Sequence, residues 1–259
     1  YPNEVVRACD SLKAIAVAFT GIDHVGLEAC REKNVAVLNC AGYSNQSVAE
    51  LSIGMAISVM RKILEGDFAV RNGRTSAGLV GTEICGRTVG IIGCGQIGFK
   101  TAKLFKAFGA DVLAYSRHER EEWKEAGIRF ADMDTLLRES DIVSLHLPLN
   151  ETTKGFFDGD KINKMKEDAI LINCARGPIV DNAALAKALN EGKIAGAAID
   201  VFDMEPPIPA DYPLCSAKNI LLTPHVAFAT KEAMVRRAKI EFDNVYAYLQ
   251  GKPENVCRL

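Results

Sequence analysis

No segment of this 259-residue sequence is both long and apolar enough to span a membrane. The most apolar stretch, residues 51–60, is shorter than the roughly 20 residues of a membrane-spanning helix and is followed by Arg61 and Lys62. Runs of like charge are also missing, and the net charge is −2. These absences argue against a membrane-spanning chain and against binding to nucleic acid or to another polyanion.

The sequence also has few of the residues that build metal sites and disulfide frameworks. It has four histidines, and its eight cysteines form no CxxC pair and no metal-ligand spacing. Several cysteines lie inside apolar segments, where a reduced thiol acts as a small hydrophobic side chain. No secretory signal is recognisable. We therefore expect a cytoplasmic protein with reduced thiols, no disulfide framework and no metal.

The clearest motif lies in residues 88–98, TVGIIGCGQIG. Its apolar run predicts a strand buried on both faces, which leads into the GxGxxG glycines Gly93, Gly95 and Gly98. The first glycine permits a tight turn, the second lets a pyrophosphate approach the backbone, and the third lets the next helix pack on the strand. A helix predicted at 96–108 would point its N-terminal amides at the phosphates. We expect dinucleotide binding here, the alternative being a purely structural glycine turn.

Strand and helix patterns alternate along the chain, which is typical of parallel sheets covered by helices. Strands are predicted at residues 12–19, 35–40, 89–92, 112–115, 142–145, 170–173, 197–200 and 219–222. We predict an α/β protein of two doubly wound parallel-sheet domains. A Rossmann cofactor domain at residues 86–225 is inserted into a flavodoxin-like substrate domain, which is made of residues 1–85 and a closing helix within 226–259. The glycine-rich residues 71–81 are the expected linker.

Polar residues follow several predicted strands, at the sheet edge where doubly wound proteins bind ligands. Arg176 follows one strand, Asp200 and Glu205 follow the next, and His225 follows the last. An arginine offers a planar fork of donors to a carboxylate. A histidine can protonate a carbonyl as hydride arrives, and a nearby carboxylate would hold it charged and oriented. Each residue alone also fits a structural role, but together they indicate a site for carbonyl reduction.

The residues at these positions resemble the D-isomer-specific 2-hydroxyacid dehydrogenases, a family that includes D-lactate and D-3-phosphoglycerate dehydrogenases and glyoxylate/hydroxypyruvate reductases. The resembling segments are residues 19–23, 43–50, the GxGxxG motif, and residues 143–148, 171–177, 198–207 and 223–227. They occur in the family's order and spread over nearly all of the chain. The resemblance implies an oxidoreductase that transfers a hydride between NAD(P)H and C2 of a small 2-keto acid.

The resemblance also implies roles for single residues. Arg176 matches the arginine that binds the substrate's carboxylate and carbonyl, His225 the general acid and base, and Glu205 the carboxylate that keeps this histidine charged and oriented. Thr20 and Gly21 match the amides that grip the substrate's carboxylate. Tyr43 stands where some D-lactate enzymes have a substrate-contacting tyrosine, although packing alone would also explain it. The implied cofactor-side residues are Gly93, Gly95, Gln96, Ile97, Gly98, Ser116, Arg117, His146, Pro148, Cys174, Ala175 and Asp200.

One position departs from the pattern of NAD-specific enzymes. These carry an acidic residue about 20 residues beyond the glycines, where it binds the ribose 2′-hydroxyl. This chain has Ser116 there, followed by Arg117 and His118. A hydroxyl and a guanidinium suit a 2′-phosphate. We therefore expect NADP(H) to be favoured, with NAD(H) as the alternative if Arg117 points to solvent.

The start of the chain departs from the family as well. Members begin with two βα units that this sequence does not show, so we expect an N-terminally incomplete substrate domain. The resemblance implies a homodimer formed through the cofactor domain, and the apolar helix predicted at residues 47–62 fits such an interface. Two other functions stay open: a phosphoglycerate-type dehydrogenase, and a dinucleotide-sensing scaffold like the corepressors that share this fold. The sequence does not determine which keto acid is used.

Overall fold

Two parallel sheets, each with its own helices, organise the chain. The structure is a computed structural model that describes residues 1–259. It divides into a smaller unit, Tyr1–Ser47 with Phe228–Leu259, and a larger unit, Val48–Ala227. None of the helices combines the length and the hydropathy that a membrane span requires.

The smaller unit has a two-stranded parallel sheet, β1 (Ala14–Val17) and β2 (Ala36–Asn39). Its helices are α1 (Asn3–Ala8), α2 (Leu27–Glu32) and, from the far end of the chain, α10 (Lys231–Leu249). The side-chain oxygen of Thr230 caps the start of α10 by accepting a hydrogen bond from the amide of Ala233. Asn244 of α10 donates to the carbonyl of Asn39 at 2.9 Å. The closing helix therefore packs within this unit.

The larger unit has a seven-stranded parallel sheet in the order β5-β4-β3-β6-β7-β8-β9. Its strands are β3 (Thr88–Ile92), β4 (Asp111–Tyr115), β5 (Arg129–Phe130), β6 (Ile142–Leu145), β7 (Ile170–Asn173), β8 (Gly196–Ile199) and β9 (Ile220–Leu222). Its helices are α3 (Asn45–Met60, all but the first turn), α4 (Ile63–Arg71), α5 (Gln96–Ala107), α6 (Glu121–Glu125), α7 (Met133–Glu139), α8 (Gly159–Lys164) and α9 (Asn182–Glu191). The chain runs outward in one direction from β3 and in the other from β6, so the switch point where such sheets bind ligands lies between these two strands.

The central strands of this sheet are buried on both faces. Val143 and Leu171 face one apolar cluster, whereas Ile142, Ile170 and Ile172 face the other. Successive side chains of a strand point to opposite faces, so a strand covered by helices on both sides needs an unbroken apolar run. This is the physical basis of the apolar runs in the sequence, and the arrangement is doubly wound as predicted.

The compact units divide after Ser47 and after Ala227, whereas the predicted domains divide after residues 85 and 225, and the predicted domains stay a prediction. Residues 48–85 join the larger unit because Met55, Met60 and Ile84 share one apolar cluster with Val89 and Ile91 of β3. Residues 71–81, the expected linker, connect α4 to β3 inside the larger unit. The sequence prediction also omitted α4 and the two-residue strand β5.

Candidate active site

The glycine motif forms the turn between β3 and α5, at the carboxyl edge of the large sheet. Gly93 has a φ of +108°, and a Cβ placed on it would lie 2.5 Å from the carbonyl oxygen of His146. A Cβ on Gly98 would overlap the carbonyl oxygen of Gly93. Gly95, in contrast, faces open space, and no side chain caps the start of α5. The open backbone at Gly95 and the uncapped helix amides fit the pyrophosphate of a dinucleotide. Gln96 and Ile97 supply the first residues of that helix.

The end of β4 lies beside this glycine turn. The amide of Gly93 donates to the carbonyl of Tyr115 at 3.1 Å. Burial raises the pKa of the Cys94 thiol to about 11, and a hydrogen bond from Ser116 and the positive charge of Arg120 offset part of that rise. Ser116 and Arg120 are therefore close to the turn.

The residues that follow Ser116 carry positive charge to the surface. Arg117 and His118 are exposed, and the His118 amide donates to the Ser116 hydroxyl oxygen at 3.4 Å. The first acidic residue after β4 is Glu119, which pairs with Lys124 at 2.8 Å. The end of β4 thus has no carboxylate at the position that binds a ribose hydroxyl in NAD-specific enzymes.

His146 follows β6 and packs under the glycine turn. Its amide donates to the carbonyl of Ile92 at 2.8 Å, and its Nε2 lies 2.9 Å from the hydroxyl of Ser144. Burial lowers the pKa of His146 to about 4, so the ring is neutral at pH 7. Pro148, two residues further on, is exposed, and its carbonyl accepts a hydrogen bond from the Thr153 hydroxyl. A neutral ring beside the glycines is not a proton donor at neutral pH.

Asn173 shapes the turn that carries Arg176. Its side-chain oxygen accepts from the amide of Ala175 at 3.0 Å, and its side-chain nitrogen donates to the carbonyl of Arg176 at 3.0 Å. Nη1 of Arg176 donates to the carbonyl of Ala175 at 2.7 Å. A side chain at Gly177 would overlap the backbone of Phe202, so the turn fits closely against the following segment.

Cys174, in the same turn, is buried against Met55, with 3.5 Å between the two sulfur atoms. Burial, followed by the nearby charge of Asp200, raises the pKa of this thiol to about 12. Cys174 is therefore a thiol at any physiological pH and not a nucleophile.

His225 and Glu205 are hydrogen-bonded to each other in the larger unit. Nδ1 of His225 lies 2.8 Å from Oε2 and 3.0 Å from Oε1 of Glu205. The Glu205 side chain is 76% exposed and the His225 side chain 26%. The proton on Nδ1 therefore faces the carboxylate, which fixes the orientation of the ring.

Asp200 holds the turn on which His225 lies. Its Oδ1 accepts from the Thr223 hydroxyl at 2.6 Å and from the Val226 amide at 2.9 Å, and its Oδ2 accepts from the Ala227 amide at 2.8 Å. Its backbone carbonyl accepts from the amide of His225 at 2.8 Å. His225 has a φ of +54°, a left-handed conformation that non-glycine residues seldom adopt. Four hydrogen bonds to one residue hold this conformation in place.

The cofactor-side role expected for Asp200 stays a prediction. The residue has no exposed surface, and both carboxylate oxygens are bonded to the 223–227 turn. Because β8 and β9 are neighbours in the sheet, the turn after β9 reaches the end of β8. Asp200 thus holds the backbone of the turn that carries His225.

Thr20 and Gly21 belong to the smaller unit, in the loop that follows β1. The carbonyl of Thr20 accepts from the Asn39 side chain at 2.7 Å, and the carbonyl of Phe19 accepts from the Cys40 amide at 3.0 Å. The amides of Thr20 and Gly21 donate to no acceptor in the protein. Two free donors on a fixed loop suit an anionic ligand.

Tyr43 follows β2 in the same unit and is buried, with 3% of its surface exposed. Its ring lies 6.4 Å from that of Phe228, and its carbonyl accepts from Nε of Arg236 at 2.9 Å. These contacts fit the packing role of Tyr43, and its contact with the substrate stays a prediction.

Sequence reasoning gave no role to three residues that shape the site: Ser144, Asn173 and Thr223. Ser144 and Asn173 are wholly buried within β6 and β7. A polar residue inside an apolar strand needs a hydrogen-bond partner, and this was the available signal. The partners themselves lie two to three residues further on, in the turns that the sequence had already marked.

The seven-stranded parallel sheet, the glycine turn at its switch point and the His225–Glu205 pair define a dinucleotide-dependent oxidoreductase of the Rossmann class. Comparison with known proteins supplies the family. The family model described as D-isomer specific 2-hydroxyacid dehydrogenase, NAD binding domain, matches residues 53–227, nearly all of the larger unit. This chain belongs to the D-isomer specific 2-hydroxyacid dehydrogenase family, which confirms the resemblance drawn from its sequence.

Individual relatives agree. The glyoxylate reductase of Thermofilum pendens is 40% identical over 256 residues, which cover 96% of this chain and 75% of the relative. A solved acyclic imino acid reductase, in complex with NADPH and D-Arg, has a TM-score of 0.91 at 32% identity. The match covers 99% of this chain and 82% of the reductase chain. The D-lactate dehydrogenase of Lactobacillus jensenii, solved with NAD+, has a TM-score of 0.85 at 33% identity with the same coverage.

These findings confirm the α/β fold with a Rossmann domain and the reaction class predicted from the sequence. The chain is a nicotinamide-dependent 2-hydroxyacid dehydrogenase.

Proposed function

We propose that this enzyme reduces a small 2-keto acid to the D-2-hydroxy acid, with His225 as general acid and NADPH as the favoured cofactor. The observation that carries the proposal is the His225–Glu205 pair, held by Asp200 at the same sheet edge as the glycine turn. A histidine in a left-handed conformation, held by four hydrogen bonds, is a costly arrangement that packing alone does not require.

The nicotinamide supplies the hydride when it is bound. Arg176 binds the substrate's carboxylate with one part of its donor fork and polarises the C2 carbonyl with another. In the smaller unit, the free amides of Thr20 and Gly21 are proposed donors to a substrate carboxylate, and Tyr43 is a candidate substrate contact. His225 donates a proton from Nε2 to the alkoxide oxygen that develops at C2, while Glu205 accepts from Nδ1–H and orients the ring. In the reverse direction the same nitrogen accepts the proton.

Three observations support NADPH. The Ser116 hydroxyl lies beside the glycine turn, next to Cys94. Two arginines, Arg117 and Arg120, are close to it, the first exposed and the second near enough to act on the same thiol. The acidic residues that follow, Glu119 and Glu122, pair with Lys124 at 2.8 Å and with Arg120 at 3.8 Å, so Arg117 is the arginine without an acidic partner. An unpaired positive charge at this strand end favours a 2′-phosphate.

Steady-state kinetics test both parts. Pyruvate, hydroxypyruvate, glyoxylate, 2-ketoisocaproate and phenylpyruvate are each run with NADPH and with NADH, and the chirality of the product is determined. We expect D-hydroxy acid and a higher kcat/KM with NADPH. No turnover with any keto acid, or an L product, would overturn the reaction. A large NADH preference would overturn only the cofactor assignment.

The His225→Gln variant tests the catalytic assignment. We expect kcat to fall by roughly 10²–10⁴-fold, since this is the usual contribution of a general acid, with the dissociation constant of NADPH unchanged. His24→Gln is the matched control, because His24 is exposed in the smaller unit. Full turnover in His225→Gln would remove this residue from the mechanism.

We propose further that the enzyme is a homodimer formed through the larger unit. Several large apolar side chains of α4 and the segment after it are exposed: Ile63, Leu64, Phe68, Val70 and Val80. Several large exposed apolar side chains within one short segment are typical of a surface that contacts another protein. Sedimentation velocity should show a dimer that Phe68→Asp dissociates, and a monomeric wild type would contradict the proposal.

The proposed location is the cytoplasm, since all eight cysteines are thiols and four of them are buried. Microscopy of the protein with a fluorescent tag tests this location.

A further inference from the structure

The guanidinium of Arg237 lies over the ring of Phe19, with 5.0 Å between Cζ and the ring centroid. Phe19 follows β1 and immediately precedes Thr20 and Gly21, whose amides have no acceptor in the protein. Its ring is 41% exposed. A fixed positive charge therefore stands next to the loop to which we assign the substrate's carboxylate.

Aromatic rings make this corner of the smaller unit rigid. The rings of Phe19 and Phe228 meet edge to face, with centroids 5.8 Å apart, and Tyr43 packs on Phe228 from the other side. Such contacts add to the packing energy beyond the area that they bury. The backbone of Arg237 is fixed too, since its carbonyl accepts a hydrogen bond from the Cys40 thiol at 3.7 Å.

No carboxylate neutralises Arg237. Glu241 lies four residues further along α10, the spacing at which helical ion pairs form, but the two side chains form no ion pair. Lys239 and Asp243 do form one on the same helix, at 2.8 Å. The Arg237 side chain thus extends over Phe19 instead of along its own helix.

A guanidinium that lies over an aromatic face still has N–H groups at its own edges, and these can bind an anion. We propose that Arg237 binds a second anionic group of the substrate, so that the enzyme prefers 2-keto acids that carry a distal carboxylate or phosphate. This inference rests on the proposed function, because it takes the Thr20–Gly21 loop as the site of the first carboxylate.

Matched substrate pairs test it. In one pair, 2-oxoglutarate and 2-oxopentanoate have the same chain length and differ in the distal carboxylate. In the other, 3-phosphohydroxypyruvate and hydroxypyruvate differ in the phosphate. At low ionic strength we expect kcat/KM to be at least about tenfold higher for the anionic member of one pair, the size of a hydrogen bond to a charged group. The pair with the larger ratio of kcat/KM values identifies whether the distal group of the preferred substrate is a carboxylate or a phosphate.

Variants assign the effect to Arg237. Arg237→Gln should abolish the preference through a higher KM for the anionic member only, and Arg237→Lys should restore part of it. Lys239→Gln, on the exposed side of the same helix, is the matched control and should leave both ratios unchanged.

Two results would overturn the inference while the proposed function stands. One is a wild type that turns over the neutral members equally well or better. The other is an Arg237→Gln variant in which kcat/KM falls equally for both substrates of a pair, which would make Arg237 a packing residue for Phe19. If no keto acid is reduced, the proposed function and this inference both fail.

Discussion

Nδ1 of His225 lies 2.8 Å from Oε2 of Glu205, yet the carboxylate is three-quarters exposed whereas the imidazole is mostly covered. Water and salt screen the attraction of an exposed carboxylate. In the proposed mechanism Glu205 therefore acts mainly by orienting the ring, and this exposure reduces its electrostatic contribution to the charged form during turnover. The stiffness of the site comes from the buried partner, Asp200.

Glu205→Gln separates charge from orientation. The glutamine carbonyl still accepts from Nδ1–H, so the ring keeps its orientation, but its charged form loses stabilisation. We predict that kcat/KM falls by about 10–100-fold, less than on deletion of His225, and that Glu205→Ala is more severe. Kinetics at two salt concentrations give the measurement, with Met204→Leu as control for disturbance of the same loop. An unchanged kcat/KM in Glu205→Gln would show that the charge is dispensable.

Asp200→Asn tests the positioning role. An asparagine presents an NH2 group where the carboxylate accepts from the Ala227 amide, so two donors would face each other. We predict a fall in kcat of at least about tenfold and a loss of roughly 1–3 kcal/mol in the free energy of unfolding, the cost of leaving a buried group unsatisfied. Thr223→Val should show the same pattern more weakly.

The dissociation constant of NADPH distinguishes the two roles of Asp200. If it only positions His225, binding of NADPH stays within about twofold of wild type while kcat falls. Weakened NADPH binding in a variant of unchanged stability would instead support the cofactor-side role predicted from the sequence.

Local patterns account for what the sequence predicted correctly. Each central strand is an apolar run between turn residues, and the glycine motif is contiguous, so both are visible in a short window. The short strand β5 and helix α4 give no such signal. β5 has only two residues. The large apolar residues of α4 are exposed, so the sequence there does not show the buried apolar face by which a helix is recognised.

Long-range packing determines the features that the sequence did not predict. Residues 48–85 join the larger unit because Met55 and Ile84 pack on β3, and no local pattern reveals which sheet a helix will cover. The position of Asp200 has the same origin. Its partners are 23 to 27 residues away and reach it only because β9 pairs with β8. The sequence predicts an acidic residue at the end of this strand, but it does not predict which groups that residue binds.

The glycines of the motif should separate folding from binding. A methyl group at Gly98 would overlap the carbonyl of Gly93, so Gly98→Ala should lower the free energy of unfolding by about 1–3 kcal/mol. Gly95 has an extended conformation that alanine adopts, and it faces open space. We predict that the free energy of unfolding of Gly95→Ala stays within about 0.5 kcal/mol of wild type. The variant should bind NADPH much more weakly, because the methyl group occupies the place of the pyrophosphate.

Urea unfolding and NADPH fluorescence titration measure the two effects on each glycine variant. The contrast is the informative result. If Gly95→Ala bound NADPH normally, the pyrophosphate would have to lie elsewhere.

His146 should make the stability of the protein depend on pH between about 4 and 6.5. Burial lowers its pKa to about 4 in the folded state, whereas an unfolded histidine titrates near 6.5. Between these values the unfolded state binds more protons, so stability is fully present above pH 6.5 and is lost as the pH falls toward 4. We predict a total loss of about 1–3 kcal/mol, kept below the full shift because the residue retains some exposed surface.

Free energies of unfolding at pH 7, 6 and 5 measure the slope in a range that carboxylates, with pKa values near 4, disturb little. His146→Gln, which does not titrate, should flatten this slope, and His24→Gln should not. Equal slopes in wild type and His146→Gln would mean that water reaches the His146 ring, and the glycine turn would then lack the dry packing that holds Gly93 and Gly98 in place.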